Sequence, residues 1–242
     1  MEFSFMISVV VTFHNERTLA QITLNSILRC RKYCEKFEEP VQLVVVFDSV
    51  DAMTKKIVES HPCVRPNDVL LNVNYGDLGF SRNRGISAAD GEFVAILDGD
   101  DLYSENWLYA AKELIKRKGK HIVCHPEIVV NFGKYNSYAW QIDQEDAGFD
   151  PDGLLLSNYW TSWVVAHKEV FASIEYAESN HRQQGFGHED WHWNCCTIKA
   201  GYIHKVVPQT SGFYRRKHSS LLSEQLQNRV YIRKTNFFHC EI

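Results

Sequence analysis

A strand signal and the first candidate site lie together in Gly91-Glu-Phe-Val-Ala-Ile-Leu-Asp-Gly-Asp-Asp-Leu-Tyr103. Residues 93–97 form a continuous apolar run, which is typical of a strand buried on both faces of a parallel sheet. Asp98, Asp100 and Asp101 follow at once, and such closely spaced carboxylates repel one another unless a cation lies among them. Mg²⁺ usually binds one or two carboxylates together with substrate phosphates, and Gly99 lets a diphosphate or a ribose approach the backbone closely. The stretch predicts a buried strand that ends at a cation and phosphate site; a solvated turn with a helix-capping Asp101 is the alternative.

The pattern around this strand is that of an α/β protein. Apolar strands are predicted at residues 7–13, 41–47 and 69–71, and a helical pattern separates each strand from the next. Four such alternations argue for a doubly wound, mainly parallel sheet. Beyond residue 120 the pattern is mixed, with strands expected at 122–132, 159–166, 203–207 and 212–215 and a helix at 190–200. We therefore expect a smaller mixed second half.

We predict one domain over residues 1–242. It divides into a nucleotide-binding half at 1–120, an acceptor half at 121–220 and a polar C-terminal tail at 221–242, since no linker, repeat or low-complexity tract interrupts the chain.

Composition excludes several classes of function. The formal net charge of −4 gives no polycationic surface, so no nucleic acid partner is expected. The 7 cysteines form no disulfide or zinc framework, which favours a reducing cytoplasm. No apolar stretch approaches the roughly 20 residues of a membrane-spanning helix. We expect a cytoplasmic protein with at most a peripheral association at the inner face of a membrane.

Polar residues follow three of the predicted strands. Ligands of open α/β sheets bind beyond the carboxyl ends of the strands. Thr12 and Glu16 lie after the first strand, Asp48 after the second, and the three aspartates after the fourth. We expect these side chains to meet at one edge of the sheet.

Five blocks of the sequence, in order, resemble family 2 glycosyltransferases. The blocks are Ser8-Val-Val-Val-Thr-Phe-His-Asn-Glu16, Gly79-Phe-Ser-Arg-Asn-Arg-Gly-Ile86, Gly91–Tyr103, Glu189-Asp190-Trp191 and Tyr214-Arg-Arg-Lys-His218. The resemblance covers residues 7–220 and implies a GT-A type fold. It also implies an inverting, metal-dependent transfer of a sugar from a nucleotide-sugar, with a UDP-sugar favoured, to a saccharide or lipid-linked saccharide. Glycan or surface-polysaccharide synthesis is the role that it implies.

The resemblance also implies roles for individual residues. A first set would bind the nucleotide-sugar: Thr12, Phe13, Glu16, Asp48, Arg82, Asp98 and Gly99. Asp98, Asp100 and His218 would hold Mn²⁺ or Mg²⁺, with His218 reaching the diphosphate from a closing C-terminal segment. Asp190 would be the general base, with Glu189 beside it as the other catalytic acid.

Two further expectations come from the residues themselves. Asp190 begins a predicted helix, whose dipole should favour the ionised carboxylate. Aromatic faces can cover the apolar face of a sugar ring, so we assign Trp163 and Trp191 to the acceptor site; core packing is the alternative for both.

Three other functions remain open at this point. His188-Glu189-Asp190-Trp191-His192 matches a zinc-hydrolase signature, which requires both histidines on one helical face. Nucleotidyl transfer would need a glycine-rich loop after the first strand, and His14-Asn15-Glu16-Arg17 contains no glycine. A non-catalytic nucleotide-sugar-binding module would tolerate the loss of Asp190 or Asp100, and both residues are present.

Overall fold

The computed structural model describes residues 6–179, 181–218 and 220–238. In the first half of the chain, strands and helices alternate as predicted. The strands are β1 (Ile7–Phe13), β2 (Val41–Asp48), β3 (Val69–Val73), β4 (Phe93–Asp98) and the short β5 (Leu102–Tyr103). The helices are α1 (Thr18–Glu35), α2 (Ala52–Glu59), α3 (Leu78–Ala88) and α4 (Trp107–Lys118).

The second half is mixed, also as predicted. Its strands are β6 (Ile122–Gly133), β7 (Ser137–Trp140), β8 (Val165–His167), β9 (Phe186–Gly187), β10 (Ile203–Arg216) and β11 (Tyr231–Ile232). Its helices are α5 (Lys168–Ser173), α6 (His181–Gln184), α7 (Glu189–Lys199) and α8 (Leu221–Gln227), with 3₁₀ turns at Pro151–Leu155 and Asn236–Phe238.

Three boundaries differ from the prediction. The strand expected at 159–166 is the short β8, because the residues before it turn along the rim of a cavity instead of pairing. The two short strands expected near the C-terminus are one strand, β10, whose pairing with β6 shifts register between Val207 and Ser211. The polar tail expected at 221–242, for which no helix or strand is predicted, contains α8 and β11.

Within the described residues the main sheet has nine strands. Eight follow one another in the order β3-β2-β1-β4-β8-β6-β10-β5, and β7 pairs with the outer part of β6. The first four strands are parallel, whereas β8 is antiparallel to both of its neighbours. One continuous sheet therefore joins the two halves, and the predicted doubly wound, mainly parallel sheet with a mixed second half is confirmed.

The core lies on both faces of this sheet. Alternate residues of a strand point to opposite faces; Val9 and Val11 of β1 pack with α1 and α4, and Val10 packs with α3. The strand ends coincide, because Thr12 pairs with both Val46 and Asp98. The polar residues that follow β1, β2 and β4 consequently meet at one edge.

No helix in the part of the chain that the structure describes is both long enough and apolar enough to cross a membrane.

Candidate active site

A cavity of about 1270 Å³ opens at the carboxyl edge of the parallel strands. Residues from both halves of the chain line it. They include most of the side chains singled out from the sequence: Thr12, Phe13, Glu16, Asp48, Arg82, Asp98, Gly99, Asp100, Glu189, Asp190 and Trp191. Trp163 and His218, also singled out, do not line it.

Arg82 of α3 connects the two halves of this cavity. Its side chain is buried, and one terminal nitrogen donates to Asp98 Oδ1 at the end of β4, at 2.7 Å. The other donates to Glu189 Oε1 at the start of α7, also at 2.7 Å. Arg82 was expected beside the base pocket; here its guanidinium fixes the start of α7 against the aspartate cluster.

Asp98 is held as a carboxylate. Its second oxygen accepts a hydrogen bond from the Ser162 hydroxyl at 2.8 Å. Burial acts to raise the pKa of Asp98, but the charge and hydrogen bond of Arg82, with the Ser162 bond, keep it below its usual value. An ionised oxygen ligand is therefore present at the end of β4.

The two adjacent acids of α7 have different partners. Glu189 is buried and bound by Arg82, whereas Asp190 is partly accessible, lines the cavity and accepts a bond from the Asn158 amide at 3.3 Å. Burial raises the pKa of Asp190 against the opposing effect of Arg82, and burial likewise raises the pKa of Glu189. The helix start was expected to favour the ionised form of Asp190; desolvation has the larger effect, which makes this carboxylate a stronger base.

Asp100 forms an ion pair with Lys217, a residue of the fifth sequence block. Lys217 Nζ lies 2.5 Å from Asp100 Oδ2, just beyond the end of β10.

Among the described residues, no three or more His, Cys, Asp or Glu side chains are grouped so that they could hold a metal ion. Asp98 and Asp100 nevertheless offer two carboxylates beside a large cavity. That donor set suits a cation that a diphosphate also ligates.

Asp101 has a structural role. It is buried and accepts bonds from the Trp163 indole N–H at 3.1 Å and from the Arg215 backbone N–H at 2.7 Å. Burial raises the pKa of Asp101 well above its usual value, and the neighbouring Asp100 and Asp98 add to the effect. The helix-capping alternative for Asp101 is wrong, because α4 begins only at Trp107, with Asn106 before it.

The assignment of Trp163 to the acceptor site is corrected by this contact. Trp163 is fully buried, and its ring lies so close to Gly212 of β10 that an added Cβ there would fall 2.0 Å from it. The side chain packs β10 against the aspartate turn, so it has no surface to offer a sugar. Trp191 does line the cavity, with its indole N–H bound to the Leu154 carbonyl.

Asp48 shapes the expected base pocket indirectly. Its carboxylate accepts hydrogen bonds from the backbone N–H groups of Tyr75, Gly76 and Asp77 and from the Ser81 hydroxyl. Burial acts to raise the pKa of Asp48, but these bonds hold it below its usual value. The carboxylate thus fixes the loop before α3, which forms one wall of the cavity.

Gly99 allows β1 and β4 to approach closely. A Cβ at this position would lie 2.5 Å from the Thr12 carbonyl oxygen and 2.6 Å from the Phe13 ring. The sequence predicts that this glycine makes room for a ligand, but the space that it frees is filled by the end of β1.

The expected position of His218 is also corrected. His218 is exposed, and Lys217, the residue before it, turns into the cavity and pairs with Asp100. The backbone at the end of β10 therefore presents a lysine to the aspartates where the sequence analysis expected a histidine.

The zinc-hydrolase alternative does not fit the start of α7. The helix begins at Glu189, and His188 precedes it in a left-handed conformation with φ of 54°. His188 and His192 therefore do not share a helical face, and Glu189 is bound by Arg82.

Two residues of the site were missed from the sequence. Ser162 and Asn158 come from the irregular region before β8, and both are ordinary polar residues in a segment without periodicity. Lys217 belongs to the fifth block, where the basic residues beside His218 indicate a role in screening phosphate charge.

Comparison with known proteins agrees with this geometry. Residues 8–174 match the family model described as "Glycosyl transferase family 2". A curated relative, the glycosyltransferase GlyG of Streptococcus pneumoniae, is 26% identical over 149 residues, which is 60% of this chain and 43% of that protein.

Solved structures show the same GT-A fold. Residues 1–349 of S. aureus TarS in complex with UDP-GlcNAc align with a TM-score of 0.67 and 20% identity, over 90% of this chain and 61% of that one. The same TarS fragment in complex with UDP aligns with a TM-score of 0.63 and 16% identity. The chain spans less than two thirds of the length of each of these proteins.

Proposed function

The chain belongs to glycosyltransferase family 2, and from this premise we propose that it transfers a glycosyl group from a nucleotide-sugar to an acceptor hydroxyl. Inversion at the anomeric carbon and help from a divalent cation are parts of the proposal. A saccharide or lipid-linked saccharide acceptor, and a role in polysaccharide synthesis at the cytoplasmic face of a membrane, complete it.

One observation carries the proposal. Arg82 bonds at once to Asp98, at the strand end suited to a diphosphate, and to Glu189, the neighbour of the candidate base. The donor-binding edge and the start of α7 are thereby held in a single cavity, with Asp190 on its wall. A fixed arrangement of this kind is what a reaction between two bound substrates requires.

The proposed reaction is a single displacement. The oxygen of the acceptor hydroxyl attacks the anomeric carbon, and its proton passes to the Asp190 carboxylate. The bond between the anomeric carbon and the diphosphate oxygen breaks, and the nucleoside diphosphate leaves with that electron pair. Attack on the face opposite the leaving group inverts the anomeric configuration.

Asp98 and Asp100 would hold the cation together with the diphosphate oxygens. A cation bound there offsets the negative charge that develops on the leaving diphosphate. Lys217 lies on the same side of the cavity, so the chain also supplies a positive charge of its own.

Several features support a UDP-sugar and a saccharide. The solved TarS complex contains UDP-GlcNAc in a similar fold. Thr161 lines the cavity, and its buried hydroxyl oxygen has no hydrogen-bond partner among the described groups. Trp191, on the same wall as Asp190, suits the apolar face of an acceptor ring.

Donor binding and turnover can be tested together. Calorimetry with UDP-, GDP- and dTDP-sugars in Mn²⁺ should find one nucleotide class that binds, and both EDTA and Asp100→Ala should abolish that binding. Incubation of the bound donor with a panel of saccharides should release the nucleoside diphosphate. Equal affinity in EDTA would contradict the role of the cation.

The non-catalytic alternative gives a different result in the same experiment. A binding module would retain the donor without releasing diphosphate in the presence of any acceptor or of water. That outcome would contradict the proposed transferase activity.

A further inference from the structure

Lys217 is held in a fixed position at the end of β10. Two residues before it, the Arg215 backbone N–H donates to Asp101, and Arg215 Nε donates to the backbone carbonyl of Asp100 at 2.8 Å. Trp163 bonds to the other oxygen of Asp101 and lies against Gly212 of the same strand. The strand end is therefore tied to the aspartate turn on both sides, and the backbone directs Lys217 towards Asp100.

The charges around Lys217 are mostly negative. Asp98, Asp100 and Glu16 line the same cavity as Lys217. Arg82 neutralises Asp98, but Asp100 has Lys217 as its ion-pair partner in the described residues. The side chains are partly buried, with 34% of Lys217 and 15% of Asp100 exposed, so screening by water is incomplete.

The Lys217 ammonium and a divalent cation compete for the same Asp100 oxygen, so each weakens the binding of the other. The contact of 2.5 Å joins an ammonium to a carboxylate, and a hydrogen bond between two ionised groups is stronger than one between neutral groups. A divalent cation that ligates this oxygen would lie close to the ammonium, and two like charges at that separation repel. A diphosphate removes the conflict, because its oxygens accept the displaced ammonium and ligate the cation.

We propose that Lys217 is a resident counter-ion of the donor site. It pairs with Asp100 when no donor is bound, gives way to the divalent cation, and then contacts the diphosphate. This inference rests on the proposed function, since it concerns the donor site of that reaction. Its consequence is that cation and diphosphate bind cooperatively, each weakly alone and tightly together.

The coupling can be measured without a sugar donor or an acceptor. The probes are Mn²⁺, followed by electron paramagnetic resonance of the free ion, and inorganic pyrophosphate. In the unmodified protein, pyrophosphate should tighten Mn²⁺ binding, and Mn²⁺ should tighten pyrophosphate binding by the same factor, since linkage is reciprocal. Lys217→Met should tighten the binding of Mn²⁺ alone by about tenfold and reduce the coupling factor by about tenfold.

Two control variants distinguish the displacement of Lys217 from Asp100 from a general loss of positive charge in the cavity. Arg216→Met removes a positive charge from the same cavity, but Arg216 Nε bonds to the neutral Asn131 side chain instead of a carboxylate. It should leave the coupling factor close to that of the unmodified protein. Lys217→Arg retains the charge and should retain most of the coupling.

Three outcomes would overturn the inference. They are unchanged or weaker binding of Mn²⁺ alone in Lys217→Met, the same change in Arg216→Met, and no coupling between Mn²⁺ and pyrophosphate in the unmodified protein. Should Lys217→Met fail to fold, Lys217→Gln replaces it in the same titrations. Intact coupling with no sugar transfer would count against the proposed function alone.

Discussion

At the residue scale, the two acids at the start of α7 differ in what surrounds them. Glu189 is bound by Arg82 and faces the aspartate cluster, so its charge is used to fix α7. Asp190 is bound by the neutral Asn158 amide, which in turn accepts a bond from the Asn194 amide. Asp190 lines the cavity and, within the described part of the chain, its hydrogen-bond donor is a neutral amide, so it is the better acceptor for a proton.

The raised pKa of Asp190 predicts how transfer depends on pH. A base must be ionised, so kcat/KM should fall as the pH drops through the pKa of Asp190 in the free enzyme. Because burial raises that pKa, the fall should begin at a higher pH than the value of about 3.9 for an ordinary aspartate would allow. Rates measured from pH 4 to 9 with saturating Mn²⁺ would show this acid limb.

Two variants identify the group whose protonation causes the fall in kcat/KM at low pH. Glu189→Gln should keep it, and the residual activity of Asp190→Asn should lack it. A rate that stays level down to pH 4 in the unmodified protein would exclude a raised pKa for the base.

At the scale of the elements, the site depends on how closely β1 and β4 end together. Gly99→Ala would place a Cβ 2.5 Å from the Thr12 carbonyl oxygen, so the backbone must move. We expect a loss of about 1–3 kcal/mol in the free energy of unfolding, the usual effect of overpacking, measured from the urea midpoint.

Gly148→Ala is the matched control for that substitution. Its added Cβ would meet only the tip of the Ile142 side chain, at 3.7 Å. It should change the free energy of unfolding by less than about 0.5 kcal/mol. Equal stability of the two variants would show that the contact between β1 and β4 is not tight.

The sequence predicts the elements that have a local signal. The runs at 7–13, 41–47 and 93–97 are mainly apolar, since both faces of these strands are buried, and they appear as β1, β2 and β4. Because these strands are parallel, their carboxyl ends lie at one edge of the sheet, which predicts that Asp98, Asp48 and Thr12 meet there. The lengths of β8 and β10 were not predictable, because they depend on pairing between segments far apart in the chain.

The errors in the site have the same origin. Whether Trp163 faces a ligand or the core depends on Gly212, which lies 49 positions away and has no side chain to fill the space. Whether Lys217 or His218 enters the cavity depends on the register of β10 against β6. Pro208 marks an irregularity in that strand, but it does not give the size of the register shift. The raised pKa of Asp190 depends on burial by distant segments, which a helix-start argument does not include.

At the scale of the whole molecule, the cavity exists because one sheet continues through both halves. β4 brings Asp98 and Asp100 from the first half, and α7 brings Glu189 and Asp190 from the second. Arg82, which belongs to the first half, bonds across the junction. The aspartates and the candidate base thereby come from different halves of the chain and line one cavity.

The most direct test of the account compares turnover with donor affinity in Asp190→Asn. This variant keeps the size of the side chain and most of its hydrogen bonds, but it cannot take up the acceptor proton. We predict that the donor dissociation constant with Mn²⁺ stays within about twofold, while kcat falls by about 10² or more, the usual contribution of a positioned general base. Near-normal kcat in Asp190→Asn, with a collapse of kcat in Glu189→Gln, would contradict the account.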